Sequence, residues 1–391
     1  MHCPSCGTLL DAGARFCGGC GKPVELAAGG LTTGSEDTLP VSPSGQRGAA
    51  QELPPTVHGA PAPAIPPTAQ PAVQPRIPAT NRPLHPDELV GRTLNDRYQV
   101  LRKIGAGGFG AVFEGLQTRT NRRVALKVLY PHMTRDPNIV ARFRREAKTA
   151  ASLRDAHTVI TYDFDETPDG VLYIAMELVE GRSLQSELAD SGGIAPLRAL
   201  EIIDQMCSSL AEAHTHGIVH RDIKPENVML EQRPGAPDYV KLLDFGIAKI
   251  MHGEGAKTAK LTAMGQTVGT LEYMSPEQLA GEALDGRSDI YAVGVLLYQC
   301  LTGSLPFEGP PTVIIHGHMH KTPTPPSQLK PGVPPQLESL VLACLAKERD
   351  DRPSDVVALR QALRSARAAL EERTSTRPPT SRGQAPVAAL S

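Results

Sequence analysis

Apolar and polar positions change their rhythm twice along the chain. The stretches YQVLRKIG (98–105) and AVFEGLQ (111–117) alternate or run apolar, the polar TRTNRR (118–123) follows, and VALKVL (124–129) runs apolar again. Period-two runs broken by turn residues predict a strand-rich block. Over 138–154 the period lengthens: Ile139, Phe143, Ala147, Ala150 and Leu153 recur at helical spacing, and Pro137 suits the first helical position. After residue 196 the helical period dominates, in LRALEIIDQMCSSLAEAHTHG, SDIYAVGVLLYQCLTG, LESLVLACLAKERDD and SDVVALRQALRSARAAL. The pattern predicts an α+β block of two lobes, one rich in strands and one helical.

Outside that block the periodicity disappears. Residues 25–90 are rich in Pro, Ala, Gly, Ser and Thr (PPTVHGAPAPAIPPTAQPAVQP), and 367–391 reads the same way. Such segments bury too little apolar surface to offset their ordering entropy, so a disordered linker and tail are expected. Residues 1–24 form a separate cysteine module, and the division expected is 1–24, 25–90, 98–366 and 367–391.

Composition narrows the class. A formal net charge of −2 over 391 residues argues against a general nucleic-acid binder. No run reaches the ~20 apolar residues of a membrane span; IYAVGVLLYQCL (290–301) is too short and carries a Gln. MHCPSCG lacks the apolar core of a secretory signal. Four of seven cysteines fall in the first twenty residues, and Cys207, Cys300 and Cys344 are scattered singly in apolar surroundings, which suits a reducing compartment better than a disulfide framework. The expected location is cytoplasmic.

IGAGGFGAVFEG (104–115) carries glycines at 105, 107 and 110. A dinucleotide fold would place them between a strand and a helix, with an acid about 20 positions on. Here they run into the strand-like AVFEGL, and no acid occurs between Glu114 and Asp136. Lys127 follows on a strand instead.

With these motifs the chain resembles the protein kinase family, over roughly 98–366. GAGGFGAV matches the glycine-rich loop, VALK the strand lysine, HRDIKPEN the catalytic loop, DFG the metal loop and SPE the usual APE. The resemblance implies a two-lobed kinase fold binding ATP with Mg²⁺ or Mn²⁺. It implies that Gly105, Ala106, Gly107, Gly108, Phe109, Gly110 and Ala111 cover the phosphates, and that Lys127 meets them, steadied by Glu146, the one acid in its helix. Ile104, Val112, Ala125 and Leu230 would line the adenine site, with Met176 guarding it and Glu177 to Val179 as hinge. Asp222 would be the base, Lys224 would steady the γ-phosphoryl, and Asn227 and Asp244 would hold the metal. The DxKPxN spacing resembles Ser/Thr rather than Tyr kinases. Asp289 matches an anchor in the helical lobe, and Arg352 would pair with Glu277. Arg221 precedes the base, where it would meet a phosphate on the loop 244–277; Thr262 and Thr267 are the expected modification sites, and Thr270 is expected to shape the substrate site. The competing class is a non-catalytic, nucleotide-sensing scaffold. All the required groups are present, which favours the enzyme.

CPSC…CGGC sets Cys3, Cys6, Cys17 and Cys20 as two CxxC knuckles ten residues apart. Four thiolates with no open position describe a structural Zn²⁺ site, and the module resembles a short zinc ribbon. Redox dithiol and iron–sulfur readings are the alternatives. With only Arg15 and Lys22 basic nearby, a protein partner or self-association, including a homodimer, is expected before nucleic acid. HGHMH (316–320) reads as a polar surface helix rather than a metal site.

Overall fold

The computed structural model describes residues 86–107, 110–131, 133–134, 136–245 and 268–375, with the side chains of Pro86, Asp87, Arg142, Glu146, Val268 to Thr270, Thr374 and Ser375 excepted. The cysteine module and Thr262 and Thr267 therefore lie outside the described residues. Six antiparallel strands form the first lobe: β1 (Thr93–Leu94), β2 (Tyr98–Ala106), β3 (Gly110–Gln117), β4 (Arg122–Leu129), β5 (Thr161–Glu166) and β6 (Leu172–Glu177), in the order β1-β2-β3-β4-β6-β5. Period-two alternation sorts their side chains to two faces. Val124, Leu126 and Val128 pack on one face with Phe113, Tyr173 and Ala175. Ala125 and Leu129 pack on the other, with Ile174, Met176 and the α1 residues Phe143 and Ala147. Lys127 therefore shares the face that meets α1 (Pro137–Ala150). That helix starts where Asp136 accepts from the Asn138 N–H at 2.8 Å, with proline at the first position. It ends at Ala150, short of the residue 154 expected from periodicity. The backbone N–H groups of Arg154 and Asp155 are taken instead by the Glu212 carboxylate, at 2.6–2.9 Å.

The second lobe holds α2 (Leu184–Ser191), α3 (Pro196–Thr215), α4 (Pro276–Ala280), α5 (Gly286–Thr302), α6 (Pro311–His320), α7 (Pro326–Leu329), α8 (Pro335–Cys344) and α9 (Val356–Ser375). A small sheet of β7 (Gly181–Ser183), β8 (Val228–Arg233) and β9 (Ala236–Leu242) completes it. α5 is apolar on all sides and almost wholly buried, which marks it as the centre of the lobe. α3, α8 and α9 supply much of the surrounding core.

Three expectations shift. Leu89, in a short 3₁₀ turn (Pro86–Leu89), packs into the first lobe's core beside Tyr98, so ordered packing begins before residue 90. α9 runs to Ser375, past 366, because Leu359, Leu363 and Ala366 keep an apolar face buried and an Arg367–Glu371 pair at 2.8 Å supports the next turn. The 316–320 stretch is only partly polar surface. His316 and His320 are exposed, whereas His318 is fully buried between Tyr291 and Phe307 and bonds the Tyr291 hydroxyl through Nδ1 at 2.9 Å.

The segment between α1 and β5 is bound to later chain. Val159 N–H donates to Leu242 O (3.1 Å), Leu242 N–H to His157 O (2.7 Å), and Thr158 shares a 2.6 Å hydroxyl contact with Ser209. Among the described residues no helix is long and apolar enough to cross a membrane.

Candidate active site

Residues 217–227 leave α3 through Gly217 (φ 70°) and run to β8. Their shape is imposed by Asp289, buried near the start of α5. Its carboxylate accepts the His220 N–H (2.8 Å) and the Arg221 N–H (2.9 Å), and its Oδ2 lies 2.8 Å from His214 Nε2. Arg221 is thereby held at φ 70°, and Asp244 sits at φ 60°, in the left-handed region that L-residues enter at a cost of ~1–3 kcal/mol. His220 Nδ1 accepts the Asp222 N–H (3.3 Å), so its proton is on Nε2, which donates to Leu243 O (2.8 Å). This ring also stacks edge-on against Phe245 at 4.7 Å.

Asp222, Lys224 and Asn227 converge. Lys224 Nζ lies 2.9 Å from Asp222 Oδ2, and the Asn227 amide donates to Asp222 O (2.7 Å) and Oδ2 (3.1 Å). Among the described residues no donor meets the Asn227 Oδ1. Leu243 N–H donates to Asn227 O (2.9 Å), which joins this loop to the segment after β9 that carries Asp244. Lys127 reaches across from β4 to pair with Asp244 Oδ1 at 2.7 Å. Burial pushes the Asp244 carboxyl up, but Lys127, His220 and Lys224 outweigh it and hold it below the usual carboxylate range. The side chain of Glu146 lies outside the described residues, so the partner found for Lys127 is Asp244.

The glycine-bearing strands β2 and β3 close as their glycines require. Gly105 pairs with Val112 and Ala106 with Ala111, and Gly107 N–H donates to Gly110 O at 2.9 Å. A Cβ on Gly110 would stand 2.0 Å from Val128 O, so no other residue fits there unmoved. Gly108 and Phe109, at the tip, lie outside the described residues. Val112, Ala125, Met176 and Val179 join one apolar cluster, Leu230 is buried on β8, and Ile104 stands exposed at the end of β2. Met176 and Ile174 line a small cavity with Ala147, Ala150, Phe245 and Asp244.

The Glu177 side chain has a role that sequence reasoning missed. Its carboxylate is paired with Lys241 of β9 at 2.8 Å, and Lys241 is only 4% exposed. A lone lysine in the apolar run VKLLDF was the available signal. His214 and the Ser275–Gln278 capping box were also missed, though the S-x-x-Q spacing announces the latter. The expected Arg352–Glu277 pair is present, bidentate at 2.8 and 2.9 Å and fully buried. Thr270 falls in a 3₁₀ segment (Val268–Tyr273). The Arg221 Nε is buried and has no hydrogen-bond partner among the described residues.

Residues 98–366 match the protein kinase domain family, and residues 2–24 a zinc-ribbon domain. The chain is 44% identical over 282 residues to serine/threonine-protein kinase pkn3 of Myxococcus xanthus, covering 71% of this chain and 51% of that protein. It is 42% identical over 274 residues to serine/threonine-protein kinase PknB of Mycolicibacterium smegmatis, covering 69% and 43%. The chain thus spans about half or less of the length of these relatives. The crystal structure of the Mycobacterium tuberculosis PknI kinase domain superposes with a TM-score of 0.56 at 27% identity, over 71% of this chain and 98% of that one. A loop built on Asp222 and Asn227, a strand lysine meeting Asp244, and a domain match over most of the sequence agree: the chain belongs to the protein kinase family, among relatives named as serine/threonine kinases.

Proposed function

We propose that this chain transfers the γ-phosphoryl of ATP to Ser or Thr hydroxyls of proteins. The observation that carries this reading is the convergence of Lys127 on Asp244 and of Lys224 and Asn227 on Asp222, joined through the Leu243–Asn227 bond. The Asp222 carboxylate receives the hydroxyl proton as the new O–P bond forms and the bond from the γ-phosphorus to the β-phosphate oxygen breaks, releasing ADP. Lys224, 2.9 Å from Asp222, meets the developing charge on the moving group. Lys127 positions the phosphates, and Met176, Ala125 and Val112 offer the adenine an apolar slot. A divalent ion would neutralise phosphate charge. The Asn227 carbonyl oxygen and the Asp244 carboxylate are hard oxygen donors that suit Mg²⁺ or Mn²⁺. No cluster of three or more His, Cys, Asp or Glu side chains that could hold a metal occurs among the described residues.

The site residues named from the sequence keep their proposed roles. Cys3, Cys6, Cys17 and Cys20 would hold one structural Zn²⁺, a reading supported by the zinc-ribbon match and by the four-thiolate donor set. Residues 1–24, 98–366 and the stretches beside them would then divide the labour as ribbon, enzyme, linker and tail, with a protein partner or second copy at the ribbon. The reduced, buried Cys207, Cys300 and Cys344 agree with a cytoplasmic setting. A phosphate on Thr262 or Thr267 would find the Arg221 Nε, which has no hydrogen-bond partner among the described residues. Radiolabelled ATP with a generic protein substrate tests the reaction. Wild type should incorporate label into Ser and Thr, and Asp222→Asn should not; equal labelling by both would reject Asp222 as the base.

A further inference from the structure

Lys241 interrupts the apolar run that ends β9, three residues before Asp244. Its ammonium is buried and has two acceptors, Glu177 Oε2 at 2.8 Å and Thr158 O at 3.2 Å. Glu177 in turn is held twice by the backbone of one residue: its Oε2 accepts the Ile160 N–H (3.1 Å) and its own N–H donates to Ile160 O (2.8 Å). Glu177 ends β6, the strand whose preceding residue, Met176, faces the apolar slot. A single buried cation therefore joins the end of β6, the 158–160 segment and the strand that leads into Asp244.

Stability alone does not account for such a pair. Taking both charges out of water costs about what their attraction returns, and apolar replacements of buried pairs are often as stable or more so. What the pair supplies is geometry. We propose that Lys241 is a positioning residue for the nucleotide: by fixing Glu177 it sets the strand that receives the base, and by standing just before Asp244 it ties the base end of the site to its metal end. This rests on the kinase reading above. Removing the ammonium strands the Glu177 carboxylate, half-shielded, with the Ile160 N–H as its remaining partner. The carboxylate then turns toward water and draws the end of β6 with it, loosening the slot before any phosphate is touched.

The test separates nucleotide binding from phosphotransfer. Binding of a fluorescent ADP analogue and initial rates against ATP are measured for wild type, Lys241→Met, Lys241→Arg and the Lys241→Met/Glu177→Gln double variant. Lys241→Met should raise Kd and the KM for ATP about tenfold, with kcat changing far less. Lys241→Arg, which keeps the charge, and the double variant, which removes the stranded one, should recover most of the affinity. A Lys241→Met protein with a lowered melting temperature but wild-type Kd would show a merely structural pair and overturn the proposal. So would a fall in kcat at unchanged KM, or a double variant no better than the single. If Lys241→Met does not fold, Glu177→Gln supplies the same test from the other partner, and wild-type Kd in that variant counts against it. Wild-type protein that binds the ADP analogue without labelling any substrate would instead remove the phosphotransfer reading and leave the binding comparison intact.

Discussion

Lys127 and Asp244 meet at 2.7 Å although 117 positions separate them, and the pair decides what each does alone. Lys127→Met should lower phosphotransfer by roughly 10²–10³-fold, as removal of one preorganised charge contact typically does. Circular dichroism and melting should remain close to wild type, since the site is partly open to water. Full autophosphorylation by this variant would remove Lys127 from the phosphate site. Asp244, held below the usual carboxylate range, stays ionised as pH falls through the range where an ordinary aspartate protonates. Its contribution to stability is thus present above the unfolded value of 3.8 and is lost only at still lower pH. Asp244→Asn should therefore melt with the same pH dependence as wild type between pH 6 and 5; a different slope there would show that Asp244 titrates in that range. Lys127, Asp222, Asn227 and Asp244 were legible because each sits in a short motif whose spacing is set by local backbone. The Lys241–Glu177 contact was not, because nothing near position 177 marks a partner 64 residues on.

At the scale of the element, α4 and α6 show how a helix is fixed by one buried polar side chain. Glu277, in the first turn of α4, would be pushed up by burial, but the Arg352 guanidinium and the Ser288 hydroxyl hold its carboxyl below the normal range. Arg352→Met should cost ~3–5 kcal/mol in urea unfolding, because an unpaired carboxylate is left inside. A loss under 1 kcal/mol would mean that Glu277 finds another partner. In α6, burial and then the nearby Lys347 push the His318 imidazole down to about 3. Folded protein therefore keeps His318 neutral while unfolded chain takes up a proton below the ordinary histidine value of 6.5. The stability this confers is complete above that value and is lost as pH falls toward about 3, at up to ~1.4 kcal/mol per pH unit. His318→Phe should flatten the pH dependence of urea unfolding between pH 6 and 4.5 relative to wild type; parallel curves would refute the neutral, buried imidazole. The sequence string HGHMH hid this, since a helix sends its outer and middle histidines to opposite sides. Which side is buried depends on Tyr291 and Phe307, both supplied from elsewhere in the chain.

Across the whole molecule, the order of strand-rich and helical blocks was readable from periodicity, whereas the ends of the ordered block were not. Leu89 and Leu370, outside the block expected at 98–366, are kept in by packing partners that local composition does not reveal. Purified, reduced protein should contain one zinc per chain by elemental analysis, lost in Cys3→Ser and Cys17→Ser; metal-free wild type would reject the four-thiolate site. Deleting residues 1–77 should leave kcat toward a generic substrate unchanged, and a large fall would show that the ribbon takes part in catalysis. The 154–159 segment adds a consequence of another kind, in time rather than space. Its hydrogen bonds go to Ser209, Glu212 and Leu242, which leave the ribosome later than it does. At ~5–20 residues per second, β5 and β6 wait on the order of 5–15 s for β9 to emerge. During that interval the first lobe is a sheet whose 154–159 peptides lack their later partners, so a nascent chain stalled before residue 242 should stay sensitive to protease, and one stalled well beyond it should not.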